Sequence, residues 1–301
     1  MNRPDWLRLR APDAEALDQM KRRLDANRLH TVCEDADCPN IGECFAGKTC
    51  TFMILGNICT RNCRFCAIVH GQPSAVDPDE PKAVASAARL LGLRHVVVTS
   101  VTRDDLADGG ADHFVETIRA IRGEMPAATI EVLIPDFWGN RDSLRRVIDA
   151  GPDVINHNVE TVPRLYPTVR PQALYDRSLE LLRGIREFGR GIWSKSGLML
   201  GMGEMQTEVI DVMKDLRAAH CDILTLGQYL SPSSAHHPVV EYIHPDAFRV
   251  LEKTGCEMGF AEVNAGPLVR SSYQAERVFS RIDADKRERE ADRHHGENRS
   301  I

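Results

Sequence analysis

The chain has 301 residues, of which 43% are hydrophobic and 27% are charged, and its formal net charge is −6. This length and hydrophobic content fit one large α/β domain with a full core. The negative net charge, without a dense basic block, argues against a nucleic-acid partner. No run of about 18 apolar residues occurs and the N-terminus lacks an apolar signal core, so we expect a cytoplasmic protein without a membrane partner.

Residues 1–50 are interpreted as an N-terminal extension, with a polar helix predicted around residues 14–24 and a cysteine-rich segment after it. The chain has nine cysteines, and seven of them lie within 34 residues. Six of the seven form two triplets: Cys33, Cys38 and Cys44 in the pattern Cx4Cx5C, and Cys59, Cys63 and Cys66 in the pattern CxxxCxxC. Such crowding indicates that the thiols act together.

Three chemistries can explain clustered thiols. A disulfide framework fits poorly, because the number of cysteines is odd, the chain is large and no secretion signal is evident. Structural zinc usually takes four ligands with cysteines in pairs, whereas these thiols come in threes. Three thiolates suit a cubane of four irons and four sulfides, because each holds one iron and the fourth iron stays open for another ligand.

Residues 51–230 alternate apolar, β-rich runs with amphipathic helical segments, which predicts a parallel sheet. The six predicted strands are residues 51–55, 95–101, 129–135, 153–159, 196–201 and 223–229. Four of the helices between them are predicted to end at glycines, namely Gly92, Gly123, Gly151 and Gly189, and a fifth covers residues 207–220. A doubly wound sheet and a βα barrel both fit this pattern.

The chemically rich segments favour the barrel, because each follows a predicted strand. These segments are NICTRNCRFC, TRDDLADGG, DFWGN, NVE, MGE and LSPSS. In a βα barrel, such segments form the loops of the C-terminal face, where active sites are built. Six units are two short of a closed eight-unit barrel. The expected fold is therefore an α/β, six-unit partial barrel with an open side for a large or protein-borne substrate.

The loop CTRNCRFC, placed after the first strand of this array, resembles the signature of the radical S-adenosylmethionine superfamily. Further segments make the chain similar to one family within it, the lipoyl synthases, in order from about Pro4 to Glu276. These segments are HTVC, CEDADCPNIGEC, VTSVTRDDLADGGA, INHNVETVPRLY, KSGLMLGMGE, LTLGQYLSPS and GPLVRSSY.

This resemblance implies two 4Fe-4S clusters and S-adenosylmethionine as cofactors. Cys59, Cys63 and Cys66 would hold the cluster that binds S-adenosylmethionine and makes a 5′-deoxyadenosyl radical. Cys33, Cys38 and Cys44 would hold an auxiliary cluster that supplies sulfur, and the RSSY segment would complete it through Ser272 or, as second choice, Ser271. The expected catalytic residues are Cys59, Cys63, Cys66 and Ser272.

The resemblance also implies the reaction and its partners. Two sulfur atoms would be inserted at carbons six and eight of an octanoyl group on a lysine of a lipoyl carrier protein. The expected carriers are the glycine cleavage H protein and the E2 subunits of 2-oxoacid dehydrogenases, and the expected reductant is flavodoxin or ferredoxin. Two alternative functions are another radical S-adenosylmethionine enzyme, such as a methylthiotransferase, and a non-enzymatic iron-sulfur carrier. The first would be expected to carry an RNA-binding module, which is not visible in the sequence. The second would fill all its cluster ligands with cysteine, whereas these sites have three thiols each.

Further candidate residues follow from position. Ser100, Asn158, Glu160 and Lys195 are predicted near strand ends, where they would contact S-adenosylmethionine or simply pack as polar residues. Cys50 stands where the family suggests a small residue, and we interpret it as a buried small hydrophobe. Residues 231–280 are expected to form a C-terminal extension that carries RSSY. Residues 281–301 have few apolar residues and mixed charge, which predicts a disordered tail.

Overall fold

The computed structural model describes residues 3–7, 15, 18, 21–22, 24, 29–35, 38–46 and 49–284. The strands are β1 His30–Thr31, β2 Thr51–Ile54, β3 Ile58–Cys59, β4 Val69–His70, β5 His95–Ser100, β6 Thr129–Leu133, β7 Val154–Asn156, β8 Trp193–Leu200, β9 Ile223–Gln228 and β10 Glu262–Gly266. The helices are Val32–Asp35, Ile41–Ala46, Glu80–Leu91, Ala111–Glu124, Arg141–Asp149, Tyr166–Val169, Tyr175–Phe188, Gln206–Ala218, Pro245–Glu257 and residues 275–284.

The main sheet has eight strands in the order β1-β2-β5-β6-β7-β8-β9-β10. β1 runs antiparallel to β2, and every other neighbouring pair is parallel. All six predicted strands are present, and the partial βα barrel is confirmed. The sequence did not predict β1 and β10, the two edges of the open sheet, which come from the N-terminal and C-terminal extensions.

The amphipathic helices that connect the parallel strands bury their apolar sides in one core with this sheet. The helix Glu80–Leu91 has proline in its first turn and ends at Gly92, whose φ of 67° lets its N–H bond the carbonyls of Ala88 and Arg89. Its end at Gly92 was predicted correctly. The helix predicted to end at Gly123 continues one residue further, to Glu124, so Gly123 is its last-but-one residue and not its C-terminal cap.

The C-terminal helix, residues 275–284, packs against one end of the barrel. Val278 and Ile282 are buried against Val154 of β7 and Ile223 of β9. The predicted boundary of a disordered tail at residue 281 is therefore wrong by at least four residues, because an apolar side chain every fourth position continues the buried helical stripe. The remainder of the predicted tail, residues 285–301, lies outside the described residues.

The predicted N-terminal helix around residues 14–24 lies largely outside the described residues, although its described members are helical. Within the part of the chain that the structure describes, no helix has the length and apolar character needed to cross a membrane.

Candidate functional site

The CxxxCxxC loop follows β2 at the carboxyl end of the sheet. It leaves the strand through Leu55, whose φ is 68° and whose N–H donates to Glu80 Oε2 at 2.7 Å. Gly110 packs directly on this turn, and a Cβ at Gly110 would lie only 2.4 Å from Leu55 Cδ1. The loop returns where β3 pairs with β4, which brings Cys59 opposite His70. Residues 59–70 thus form a closed loop over the barrel mouth.

Arg61, inside the CxxxCxxC loop, ties it to two other loops. Its side chain is buried and donates to both carboxylate oxygens of Asp104, at 2.7 and 2.9 Å, and to Asp136 Oδ1 at 2.7 Å. Asp104 follows β5 in the TRDD segment, and Asp136 follows β6 in the DFWGN segment. Burial raises the pKa of Asp136, yet the guanidinium outweighs it and holds that pKa at about 2. The two segments therefore act as anchors of the cysteine loop.

The three thiols of this loop are surrounded by groups that suit iron-sulfur ligation. Cys59 Sγ accepts the backbone N–H of Arg61 at 3.4 Å and of Thr102 at 3.3 Å. The backbone N–H of Ile68 donates to Cys66, although burial still raises the pKa of that thiol to about 12. Hydrogen bonds to cluster sulfurs are a main means by which proteins tune such clusters. Burial raises the pKa of Cys63 as well, so iron bound at Cys63 and Cys66 would have to displace their protons.

A site for a single metal ion would need several ligand side chains to converge on one point, which differs from what an iron-sulfur cubane needs. Among the described residues, no three His, Cys, Asp or Glu side chains gather as ligands of one metal ion would. A cubane does not need such a point, because each thiolate binds its own iron.

Three of the predicted cofactor contacts lie at the carboxyl ends of β5 and β7, the same end of the sheet as the cysteine loop. Ser100 ends β5, and Asn158 and Glu160 follow β7. Ser100 Oγ and Asn158 Oδ1 are buried without a hydrogen-bond partner among the described residues. Burial raises the pKa of Glu160, while the nearby Arg170 lowers it. Because buried polar atoms are rarely left unpaired, these groups fit a polar ligand such as S-adenosylmethionine.

Sequence reasoning missed Arg170, which is partly buried and close enough to Glu160 and Cys63 for their charges to interact. Its Nη1 donates to the carbonyls of Asn158 and Val159 at 3.0 and 3.1 Å, and its Nε is buried without a partner among the described residues. Its charge opposes the effect of burial on the Cys63 pKa, which is nevertheless raised. Arg170 precedes Pro171 in a loop without a motif, so only the folded chain shows its position.

The predicted placement of Lys195 near the cofactor is wrong. Lys195 is the third residue of β8, five residues before the carboxyl end of that strand. Its Nζ is fully buried and lies 2.7 Å from Glu131 Oε1, and Glu131 also lies 3.5 Å from His95 Nε2. A lysine buried inside a sheet needs a carboxylate partner, and β6 supplies it. This pair occupies the lower layer of the barrel.

The second triplet lines a cavity of about 540 Å³ at the opposite end of β2. Cys33, Cys38, Cys44 and Ser272 all border it, together with Cys50. Backbone N–H groups of Thr51 and Asn40 donate to Cys33 and Cys38, and the Thr49 side chain bonds Cys44. Burial and neighbouring thiols raise the pKa of Cys33 to about 12 and that of Cys44 to about 11. This donor set fits a second cluster.

The C-terminal RSSY segment folds back onto this cavity. Thr51 Oγ1 donates to Ser272 Oγ at 2.9 Å across 221 residues of chain. Asn40 Nδ2 donates to the carbonyl of Leu268 at 2.7 Å, and Tyr273 OH donates to Glu43 Oε1 at 3.0 Å. Gly227 in β9 permits this approach, because a Cβ there would lie 2.0 Å from the carbonyl oxygen of Val269. Ser272 thereby joins three distant cysteines.

The open βα barrel with three thiols in the loop after its first parallel strand defines a radical S-adenosylmethionine protein. Residues 53–216 match the radical SAM superfamily, which implies a 4Fe-4S cluster and S-adenosylmethionine. The fold is similar to that of Streptococcus suis SuiB bound to S-adenosylmethionine, with a TM-score of 0.56, 12% identity and coverage of 75% of this chain and 53% of that one. HydG, a hydrogenase maturase, has the same TM-score at 15% identity, with coverage of 85% of this chain and 56% of that one.

Sequence comparison identifies which family of radical S-adenosylmethionine proteins this chain resembles. The lipoyl synthase of Caldanaerobacter subterraneus subsp. tengcongensis is 57% identical over 276 residues, which cover 92% of this chain and 96% of that protein. The lipoyl synthase of Caldicellulosiruptor bescii is 54% identical over 283 residues, which cover 94% and 97% respectively. This chain belongs to the lipoyl synthase family.

Proposed function

We propose that this enzyme is a sulfurtransferase that inserts two sulfur atoms at carbons six and eight of an octanoyl group carried on a lysine of a lipoyl carrier protein. The observation that carries the proposal is the separation of six thiols into two sites at opposite ends of β2. Four residues of strand span about 13 Å, so the cluster held by one triplet can give up its sulfur while the cluster held by the other stays intact.

The site above β2 is proposed to hold the 4Fe-4S cluster and S-adenosylmethionine through Cys59, Cys63 and Cys66. When bound, these groups supply a 5′-deoxyadenosyl radical able to abstract hydrogen from unactivated carbon. The chain's own contribution is orientation: Asn158 presents a buried amide and Glu160 a partly buried carboxyl beside the loop. Ser100 adds a hydroxyl from β5. Because these groups are already fixed, little reorganisation is needed when the cofactor binds.

The site below β2 is proposed to hold the auxiliary cluster, with Cys33, Cys38 and Cys44 on three irons and Ser272 on the fourth. The hydrogen bond from Thr51 to Ser272 Oγ supports this assignment, because it stabilises negative charge on the serine oxygen. Oxygen is a harder ligand than thiolate and holds iron less firmly. A releasable corner suits a cluster that must give up sulfur.

The partners are proposed from family resemblance. They are octanoylated glycine cleavage H protein or E2 subunits as substrates, and flavodoxin or ferredoxin as the electron donor. The open side of the sheet, between β1 and β10, supports a protein-borne substrate, since a lysine-linked chain must reach the interior from outside. The cytoplasmic location expected from the sequence stays a prediction.

Anaerobic reconstitution of cysteine variants tests the proposal. The unaltered chain should bind about eight irons. Cys63→Ala should keep about half of them and form neither 5′-deoxyadenosine nor lipoyl product. Cys38→Ala should also keep about half, yet still cleave S-adenosylmethionine without making product. The control is Cys256→Ala, which removes an exposed thiol from the helix Pro245–Glu257 and should change nothing.

Two results would contradict the proposal. If Cys63→Ala and Cys38→Ala lost S-adenosylmethionine cleavage equally, the division between two sites would be wrong. If the reconstituted chain held one zinc and no iron, the proposed enzyme function would be wrong.

A further inference from the structure

Cys50 stands directly before β2 and borders the same cavity as the second triplet. Its side chain is buried, with 6% of the residue exposed. No hydrogen bond to its sulfur occurs among the described residues, whereas Cys33, Cys38 and Cys44 each accept one. Four thiols and one serine hydroxyl therefore face one cavity, which is one ligand more than a four-iron cubane takes.

Cys50 and Ser272 both line that cavity, and Thr51 connects them. The backbone of Thr51 follows Cys50, its N–H donates to Cys33, and its hydroxyl donates to Ser272 Oγ at 2.9 Å. Cys50 is also close enough to Cys33 and Cys44 for their charges to interact. Because the other three thiols already account for three irons, only the fourth iron is open to either group.

We infer that Cys50 is a reserve ligand of the auxiliary cluster, which binds the fourth iron when the Ser272 oxygen is not bound to it. The inference rests on the proposed auxiliary cluster. In the unaltered chain Ser272 has the advantage, because Thr51 supports its negative charge and Cys50 has no such donor. Once the oxygen leaves, thiolate is the preferred ligand of iron.

The exchange needs no oxidant or reductant. One iron–oxygen bond would break and one iron–sulfur bond would form, while the proton of the Cys50 thiol would pass to the Ser272 oxygen. The iron keeps its charge throughout. A reserve thiolate would retain iron in the cavity at the stage when the cluster loses its sulfur.

The test compares Ser272→Ala, Cys50→Ala and the double variant after anaerobic reconstitution, by iron content and electron paramagnetic resonance. Ser272→Ala should keep about eight irons per chain, because Cys50 takes the vacated corner. The double variant should fall to about seven, with the signal of an oxidised three-iron cluster. The inference is overturned if the double variant keeps the iron content of the unaltered chain, or if Ser272→Ala alone loses one iron.

Two further measurements keep the result interpretable. The electron paramagnetic resonance signal of the reduced cluster at Cys59, Cys63 and Cys66 should persist in all three variants, which shows that the barrel and the other cluster are intact. In Cys50→Ala alone, iron should pass to an added chelator several-fold faster during turnover, and an unchanged rate would overturn the inference. The double variant Cys38→Ala with Cys50→Ala tests the underlying proposal separately, because only two thiols then remain in the cavity. If this variant kept all of the roughly eight irons, the cavity would not hold the auxiliary cluster.

Discussion

Replacing Lys195 with methionine removes the cation from a fully buried ion pair. The side chains of Lys195 and Glu131 are 1% and 2% exposed, and their charged atoms lie 2.7 Å apart. Burial raises the pKa of Glu131, but Lys195 and His95 outweigh it and set that pKa at about 2. Without Lys195 the buried Glu131 carboxylate would keep only the His95 ring, 3.5 Å away, as an ion-pair partner. Breaking such a pair costs about 3–5 kcal/mol, which corresponds to a fall in melting temperature of roughly 10 °C.

Calorimetry and S-adenosylmethionine binding should be measured together on the same reconstituted protein at neutral pH. Lys195→Met should melt lower yet bind the cofactor normally when folded. The double variant Lys195→Met with Glu131→Leu should recover most of the loss, because no charge stays buried. Lys214→Met, which breaks an exposed pair with Asp211, should change stability by at most about 1 kcal/mol. An unchanged melting temperature with lost cofactor affinity would refute this reasoning and return Lys195 to the cofactor site.

Three other perturbations test the architecture of the site. Arg61→Met should lower stability and release about half the bound iron, because it removes the cation that joins Asp104 and Asp136 to the cysteine loop and leaves Asp136 paired with Arg177 alone, at 3.2 Å. Arg89→Met, in an exposed pair with Glu124, is the control and should keep all iron. Gly227→Ala should displace the RSSY segment and lower the iron content of the auxiliary cluster, because the added Cβ would collide with the carbonyl of Val269. Gly123→Ala is the control, since there is open space around its Cβ, and it should keep all iron. Equal iron content in both variants would show that the contact between Gly227 and Val269 does not position the RSSY segment. Burial holds the pKa of His157 at about 4, below its value in the unfolded chain. The neutral ring therefore contributes roughly 3 kcal/mol to the free energy of unfolding above about pH 6.5, and this contribution is lost as the pH falls toward 4. His157→Gln should flatten that part of the calorimetric stability profile, and an unchanged slope would show that another group titrates.

The sequence by itself determined the features that depend on local spacing. The two cysteine triplets, the six parallel strands and the family follow from residues a few positions apart, because helix and strand periods are short and loop ligands act through fixed spacing. The helix that ends at Gly92 shows the same logic, since its C-terminal cap is a local backbone requirement. Gly123 shows its limit, because the buried stripe of Phe114, Ile118 and Ile121 keeps the helix intact past a residue of poor helix propensity.

The tertiary structure alone decided which distant groups meet. Lys195 lies in the lower barrel because strand register brings it to Glu131, and no local pattern encodes that pairing. Ser272 reaches Thr51 only because β10 extends the sheet and Gly227 lets the following segment approach. Cys50 reads as a small apolar residue in sequence, yet the same folding places its thiol in the cavity of the second triplet. Burial and long-range contact depend on how the whole sheet closes, which is why spacing along the chain predicts the ligands but not all of their neighbours.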